Sequence, residues 1–98
     1  MKDKVAALLT EALDRLVEDG LLDASQKKSV QVENTKDPTH GDLATNVAMM
    51  HAKAAGMPPR ALAERIINAL PASADIVSTD IAGPGFINLT LAQDAAFA

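Results

Sequence analysis

Apolar residues recur at helical spacing in the first stretch of the chain. Val5, Leu8, Leu9, Ala12, Leu13, Leu16 and Val17 fall on one stripe, and Glu11, Asp14, Arg15 and Glu18 fill the opposite one. The pattern predicts an amphipathic helix over about residues 3–18. Asp3 is the expected N-cap and Asp19-Gly20 the expected stop, with Leu21 and Leu22 folding back onto the helix end. Ser29 to Glu33 alternates and predicts a short strand. Asn34 to Gly41, with Pro38 inside it, reads as a turn-rich loop. Asp42 to Ala55, rich in Ala and Met, predicts a second helix that lies close against a neighbour, with Gly56 ending it. Pro59 suits the first position of a third helix running to about Leu70, whose buried stripe is Leu62, Ala63, Ile66, Ile67 and Leu70. Pro71 closes it.

The period then changes to two. Asp75 to Ala82 predicts a strand with Val77, Thr79 and Ile81 on one side. Gly83-Pro84-Gly85 is a turn, and Phe86 to Leu91 is the next strand. Ile87, Leu89 and Leu91 supply an apolar face there, which leaves Phe86, Asn88 and Thr90 together on the other. The expected fold is α+β, with three helices packed on a small, mainly antiparallel sheet. No internal repeat is visible.

Composition narrows the function classes. A chain of 98 residues, 48% hydrophobic, is one domain with a real core. The aromatics are Phe86 and Phe97, so that core is aliphatic. There is no cysteine, which removes disulfides, thiolate metal sites and a cysteine nucleophile, and which fits a cytoplasmic protein. No signal peptide or membrane span is evident. Asn88-Leu89-Thr90 matches a glycosylation acceptor by pattern alone. The net charge of −4 argues against a general nucleic-acid binder. All nine basic residues lie between Lys2 and Arg65, and only Asp75, Asp80 and Asp94 carry charge after that. A nucleic-acid contact at the C-terminal hairpin therefore needs positive charge from the middle of the chain or from another domain.

Candidate chemistry is sparse. His40, Asp42 and His51 match no zinc spacing, so no metal site is expected. Ser25, Ser29, Ser73 and Ser78 lack a nucleophile motif, and no catalytic residue is assigned. Gly83-Pro84-Gly85 feeds a strand rather than a helix, and Pro84 lacks an amide hydrogen, so it is no phosphate loop. Phe86 reads in two ways: as one of the few aromatics of a small core, or as a ring beside the Asn88 amide that stacks on an unpaired base. His40 to Asn46 reads as a hydrogen-bonded structural corner. Gly41 permits a tight entry, Asp42 accepts amide hydrogens at the helix start, and Asn46 bonds to nearby backbone or loop. Lys36, Lys53, Arg60 and Arg65 form a loose basic edge or simply solvated surface charge.

Two motifs carry a family resemblance. The first is His40-Gly41-Asp42-Leu43-Ala44-Thr45-Asn46-Val47-Ala48-Met49, followed by Lys53-Ala54-Ala55-Gly56-Met57 and Pro59-Arg60-Ala61-Leu62-Ala63-Glu64. The second is Ile81-Ala82-Gly83-Pro84-Gly85-Phe86-Ile87-Asn88. In order and spacing the chain resembles the N-terminal domain of bacterial arginyl-tRNA synthetase. The family usually has an aromatic where His40 stands.

The resemblance implies an appended α+β module, residues 1–92, ahead of a Rossmann-type catalytic domain, with 93–98 starting the linker. It implies contact with the D-loop of arginine tRNA at the outer corner. Phe86 would pack near or against a D-loop base, Asn88 would contact its edge, and Gly83 would lie at the turn position that approaches the nucleotide. ATP and Mg2+ would serve the parent enzyme and not this stretch, which would be non-catalytic alone and monomeric. Binding by this stretch alone would be weak. One stacked base and one amide contact supply about 1–3 kcal/mol each, less than docking costs. The alternatives are a protein-interaction or scaffold domain, with Phe86 buried and an apolar stripe on the second helix, and a small enzyme with a pocket lined by His40, Asp42 or His51.

Overall fold

The computed structural model describes residues 1–92. The expected linker start at 93–98, with Phe97, lies outside the described residues. The first helix, α1 (Lys2–Glu18), buries Val5, Leu9, Ala12, Leu13 and Leu16. Met1, not Asp3, holds the N-cap position. Asp3 sits in the first turn, where a carboxylate still meets the positive end of the helix dipole. The helix stops as expected. Gly20 takes φ +81°, its N–H donates to the Val17 carbonyl, and the Leu21 N–H donates to the Leu16 carbonyl. That paired closure turns the chain back and buries Leu22.

The middle of the chain departs from expectation. Strand β1 is Glu33–Asn34, and residues 29–32 form no ladder. Leu43 to Thr45 is not the first turn of a helix. It is strand β2 (Leu43–Thr45), and α2 (Val47–Ala55) begins only after Asn46. The third helix, α3 (Pro59–Ala69), starts at Pro59 and buries Leu62, Ala63 and Ile66. Strands β3 (Ile76–Ala82) and β4 (Phe86–Leu91) form the predicted hairpin.

The sheet is antiparallel throughout, in the order β1-β2-β4-β3. Helix α3 touches α1, α2 and both hairpin strands, so it is the keystone of the helical layer. Alanines 48, 52 and 63 are buried where α2 and α3 meet the rest of the core, and their short side chains allow the close approach. From β4 the inward residues are Ile87, Leu89 and Leu91. Burying a Leu or Ile side chain contributes about 1.5–3 kcal/mol, which makes this strand the main anchor of sheet to helices.

Strand β3 differs from simple alternation. Ile76 pairs with Leu91 and Ser78 with Thr90, leaving Val77 as an extra residue in a bulge. Thr79 and Ile81 keep the inner face, opposite Leu89 and Ile87, while Val77 is pushed out to 65% exposure.

Candidate nucleic-acid interface

Helices α2 and α3 pack against β4 on the face of its buried Ile87, Leu89 and Leu91, and among the described residues they leave the opposite face uncovered. Pairing aligns Glu33, Ala44, Asn88 and Asp80 in one row across the four strands. The next row pairs Phe86 with Ala82. The alternation of β4 therefore puts Phe86, Asn88 and Thr90 on the uncovered face. Phe86 is 41% exposed, and Asn88 is half-buried. Ala44, beside Asn88, offers only a methyl group and leaves a low floor.

A hollow of about 490 Å³ opens over that floor. Ala82, Phe86 and Asn88 form one side, and Asn34, at the end of β1, with the loop residues Thr35, Lys36, Asp37 and His40 forms the other. A smaller hollow of about 220 Å³ also includes Phe86 and Ala44, and is lined further by Gln31, Glu33, Asn34, Thr45 and Asn46. The Phe86 ring thus borders both.

The loop wall is held by its own hydrogen bonds. The Thr35 N–H donates to the Asp42 carbonyl at 3.1 Å, and the Thr35 hydroxyl donates to the Gly41 carbonyl at 2.6 Å. Asp37 Oδ1 accepts the Thr39 N–H at 3.0 Å and the Thr39 hydroxyl at 2.8 Å. Those two bonds hold the Asp37 carboxyl below the usual carboxylate range, with a smaller contribution from His40.

The hairpin tip is clamped from below. Gly83 and Gly85 take φ +55° and +143°, and the Gly85 N–H donates to the Ala82 carbonyl. Arg60, from the first turn of α3, donates from Nη1 to the Gly83 carbonyl at 2.6 Å. Gly85 lies so close to Pro59 that a Cβ there would stand 2.7 Å from the proline Cβ. The start of α3 thereby fixes where Phe86 emerges.

The Gly41–Asn46 corner is built differently from the sequence expectation. The Asp42 N–H donates to the Leu89 carbonyl at 2.8 Å, and Asp42 Oδ2 accepts the Leu91 N–H at 2.7 Å. Asp42 therefore ties the loop to β4 instead of capping a helix. Gly41 has φ +101°, and a Cβ would lie 3.0 Å from the Leu89 carbonyl oxygen, so this approach requires glycine. Asn46 occupies the N-cap position of α2 without a side-chain cap. Thr45 Oγ1 accepts the Val47 N–H instead, and the buried Asn46 Oδ1 has no protein partner. Among the described residues the expected Asn46 side-chain bond to nearby backbone or loop is not formed.

The histidines stay apart from each other. His51 is fully buried on α2, with Nδ1 against the Val47 carbonyl at 2.8 Å and Nε2 accepting the Lys28 N–H at 2.9 Å. Accepting at Nε2 assigns the proton to Nδ1, so both ring nitrogens are used in pinning the 24–32 segment to α2. His40 is exposed in the groove wall. The Phe86 groove takes in His40 but neither Asp42 nor His51, and among the described residues no group of three or more His, Cys, Asp and Glu is placed to hold a metal ion.

The basic residues do not make one edge. Lys36 is in the Phe86 groove and Arg60 under the hairpin. Lys53 joins Lys27 and Lys28 around a separate hollow, and Arg65 joins Arg15 around another. Ala82 comes to the groove with the predicted hairpin, but Asn34, Thr35 and Ala44 are not among the expected site residues. Only the β1–β2–β4 register brings them to the groove, and that pairing leaves no local signal.

Residues 3–91 match the family described as the arginyl tRNA synthetase N terminal domain. The arginine–tRNA ligase of Pseudomonas putida is 57% identical over 95 residues, covering 97% of this chain and 16% of the ligase. That of Alcanivorax borkumensis is 52% identical over 94 residues, covering 96% of this chain and 16% of the ligase. The fold also matches the arginyl-tRNA synthetases of Plasmodium falciparum (TM-score 0.77, 16% identity) and Thermus thermophilus (TM-score 0.72, 19% identity). Those matches cover 95% and 97% of this chain, but 16% and 14% of the synthetases. The chain belongs to the arginyl-tRNA synthetase N-terminal domain family.

Proposed function

We propose that this member of the arginyl-tRNA synthetase N-terminal domain family is the part of an arginine–tRNA ligase that contacts the D-loop of its tRNA. The observation that carries this reading is the shared uncovered face of Phe86 and Asn88 at the lip of an open groove. Phe86 packs against an unstacked base, and the Asn88 amide bonds its edge, since an amide both donates and accepts. Gly83, at the clamped tip, is the turn position that approaches the nucleotide. The whole ligase joins arginine to its tRNA with ATP and Mg2+, and the catalytic domain of the same chain supplies that chemistry. The residues described here do not fit a triphosphate. Their glycine-rich turn runs into a strand, Pro84 has no N–H, and the Gly83 carbonyl is already bonded to Arg60.

This role is discrimination more than affinity. Asn88→Ala in the full-length ligase removes one base contact worth about 1–3 kcal/mol, or roughly 5- to 150-fold. The expected result is a higher KM for tRNA with arginine and ATP kinetics near normal. Unchanged tRNA kinetics would remove Asn88 from the site. The scaffold alternative required a buried Phe86, and the exposure of this ring speaks against it.

A further inference from the structure

We infer that the loop opposite Phe86 is a phosphate wall, with Lys36 binding the backbone of the nucleotide whose base packs against that ring. The inference rests on the D-loop reading above and adds a second, ionic half to it. The chain has no basic residue after Arg65, so the hairpin brings no charge of its own. Folding supplies it from the middle of the chain. Pairing of β1 with β2 and of β2 with β4 carries the Asn34–His40 loop across Ala44 to face Phe86 and Asn88.

The distribution of groups in the groove suits a nucleotide. The apolar and amide groups, Ala82, Phe86 and Asn88, line one side, and the cation lies on the other. The volume of about 490 Å³ falls within the range of small-ligand sites. Asp37 is the one carboxylate among the lining residues. Its Oδ1 is taken by the Thr39 N–H and hydroxyl, and its Oδ2 lies 4.0 Å from His40 Nε2. Lys36 is in no ion pair among the described residues. A flexible ammonium of this kind binds phosphate as a point charge and carries no base preference.

The test measures tRNA affinity of the full-length ligase from 50 to 300 mM KCl, for wild type, Lys36→Gln, Lys36→Arg and Asn88→Ala. One phosphate contact to a single strand contributes a slope of about 0.7 in log affinity against log salt, which is about fivefold at 0.1 M salt. Lys36→Gln is expected to lose about that affinity and to flatten the slope by about 0.7. Lys36→Arg is expected to retain both. The loss from Lys36→Gln should be the same for arginine tRNA and for a tRNA altered at the D-loop base, whereas Asn88→Ala should erase the difference between the two tRNAs. An unchanged slope in Lys36→Gln, with or without a loss of affinity, overturns the phosphate wall. If that happens while Asn88→Ala still weakens discrimination, only the inference about Lys36 fails. If Asn88→Ala changes nothing either, the D-loop reading fails with it.

Discussion

Replacing Gly85 with Ala adds a single methyl group at the most crowded point of the hairpin. Two costs follow. Gly85 has φ +143°, a conformation that L side chains rarely adopt, and such strain costs about 1–3 kcal/mol. The new Cβ would also stand 2.7 Å from Pro59 Cβ, 3.1 Å from the Pro59 carbonyl carbon and 3.3 Å from Met49 Cγ. The backbone carbon and the proline ring cannot swing away as a flexible side chain would, and overpacking of this kind costs about 1–3 kcal/mol more. Gly83→Ala is the matched control. Gly83 also has positive φ, at +55°, but its Cβ would meet only Phe86 Cδ2 at 3.8 Å, which is ordinary contact. That variant carries a backbone cost of about 1–2 kcal/mol alone. Thermal unfolding followed by circular dichroism separates the two, because 1 kcal/mol shifts the midpoint by about 4–8 °C in a domain of this size. Gly85→Ala is expected to melt at least about 4 °C below Gly83→Ala, and in the full-length ligase to raise KM for tRNA as Phe86 is levered off its position. Equal midpoints for the two variants would refute the argument that the start of α3 clamps the hairpin.

Two further outcomes concern the supporting structure. His51→Leu keeps the apolar bulk but leaves the Lys28 N–H without its acceptor, so it should cost about 1–3 kcal/mol, with amide exchange at Lys28 accelerated. Asp23 and Asp37 both have carboxyls held below 3.8, in each case by a backbone N–H first and a side-chain hydroxyl second. Their contribution is thus present above the unfolded-state value and lost as pH falls through the lower folded-state values. Urea midpoints between pH 7 and pH 2.5 should fall less on the acid side for Asp23→Asn/Asp37→Asn than for wild type, and an identical acid limb would count against those bonds.

How much of this was legible in the sequence depended on whether the determining contacts were local. Helices α1 and α3 and the β3–β4 hairpin were readable because apolar stripe, helix stop and turn each lie within one segment. The outward placement of Phe86 and Asn88 followed from alternation beside Ile87, Leu89 and Leu91. Strand β2 was misread because Leu43-Ala44 continues smoothly into a helix-forming run. What makes it a strand is pairing with Leu89 and Ile87, more than forty residues later. The same long-range pairing explains why Asp42 bonds to Leu91 rather than to a helix end, and why Lys36 reaches the groove. The Val77 bulge was hidden by an apolar residue that fits a simple alternation but occupies the extra position.

That bulge also determines how the sheet can be approached. A sheet with open edges invites further strands, from a second copy or from an extended peptide. Here one edge is the two-residue β1, and the other is β3, whose ladder is broken at Val77. Neither edge offers a long, even row of amides and carbonyls for another chain to zip onto. Growth by strand addition is thereby discouraged, which guards an aliphatic-rich domain against aggregation. The broad uncovered face is left as the approach for a visitor, and it suits one that lays down a flat ring rather than an extended backbone.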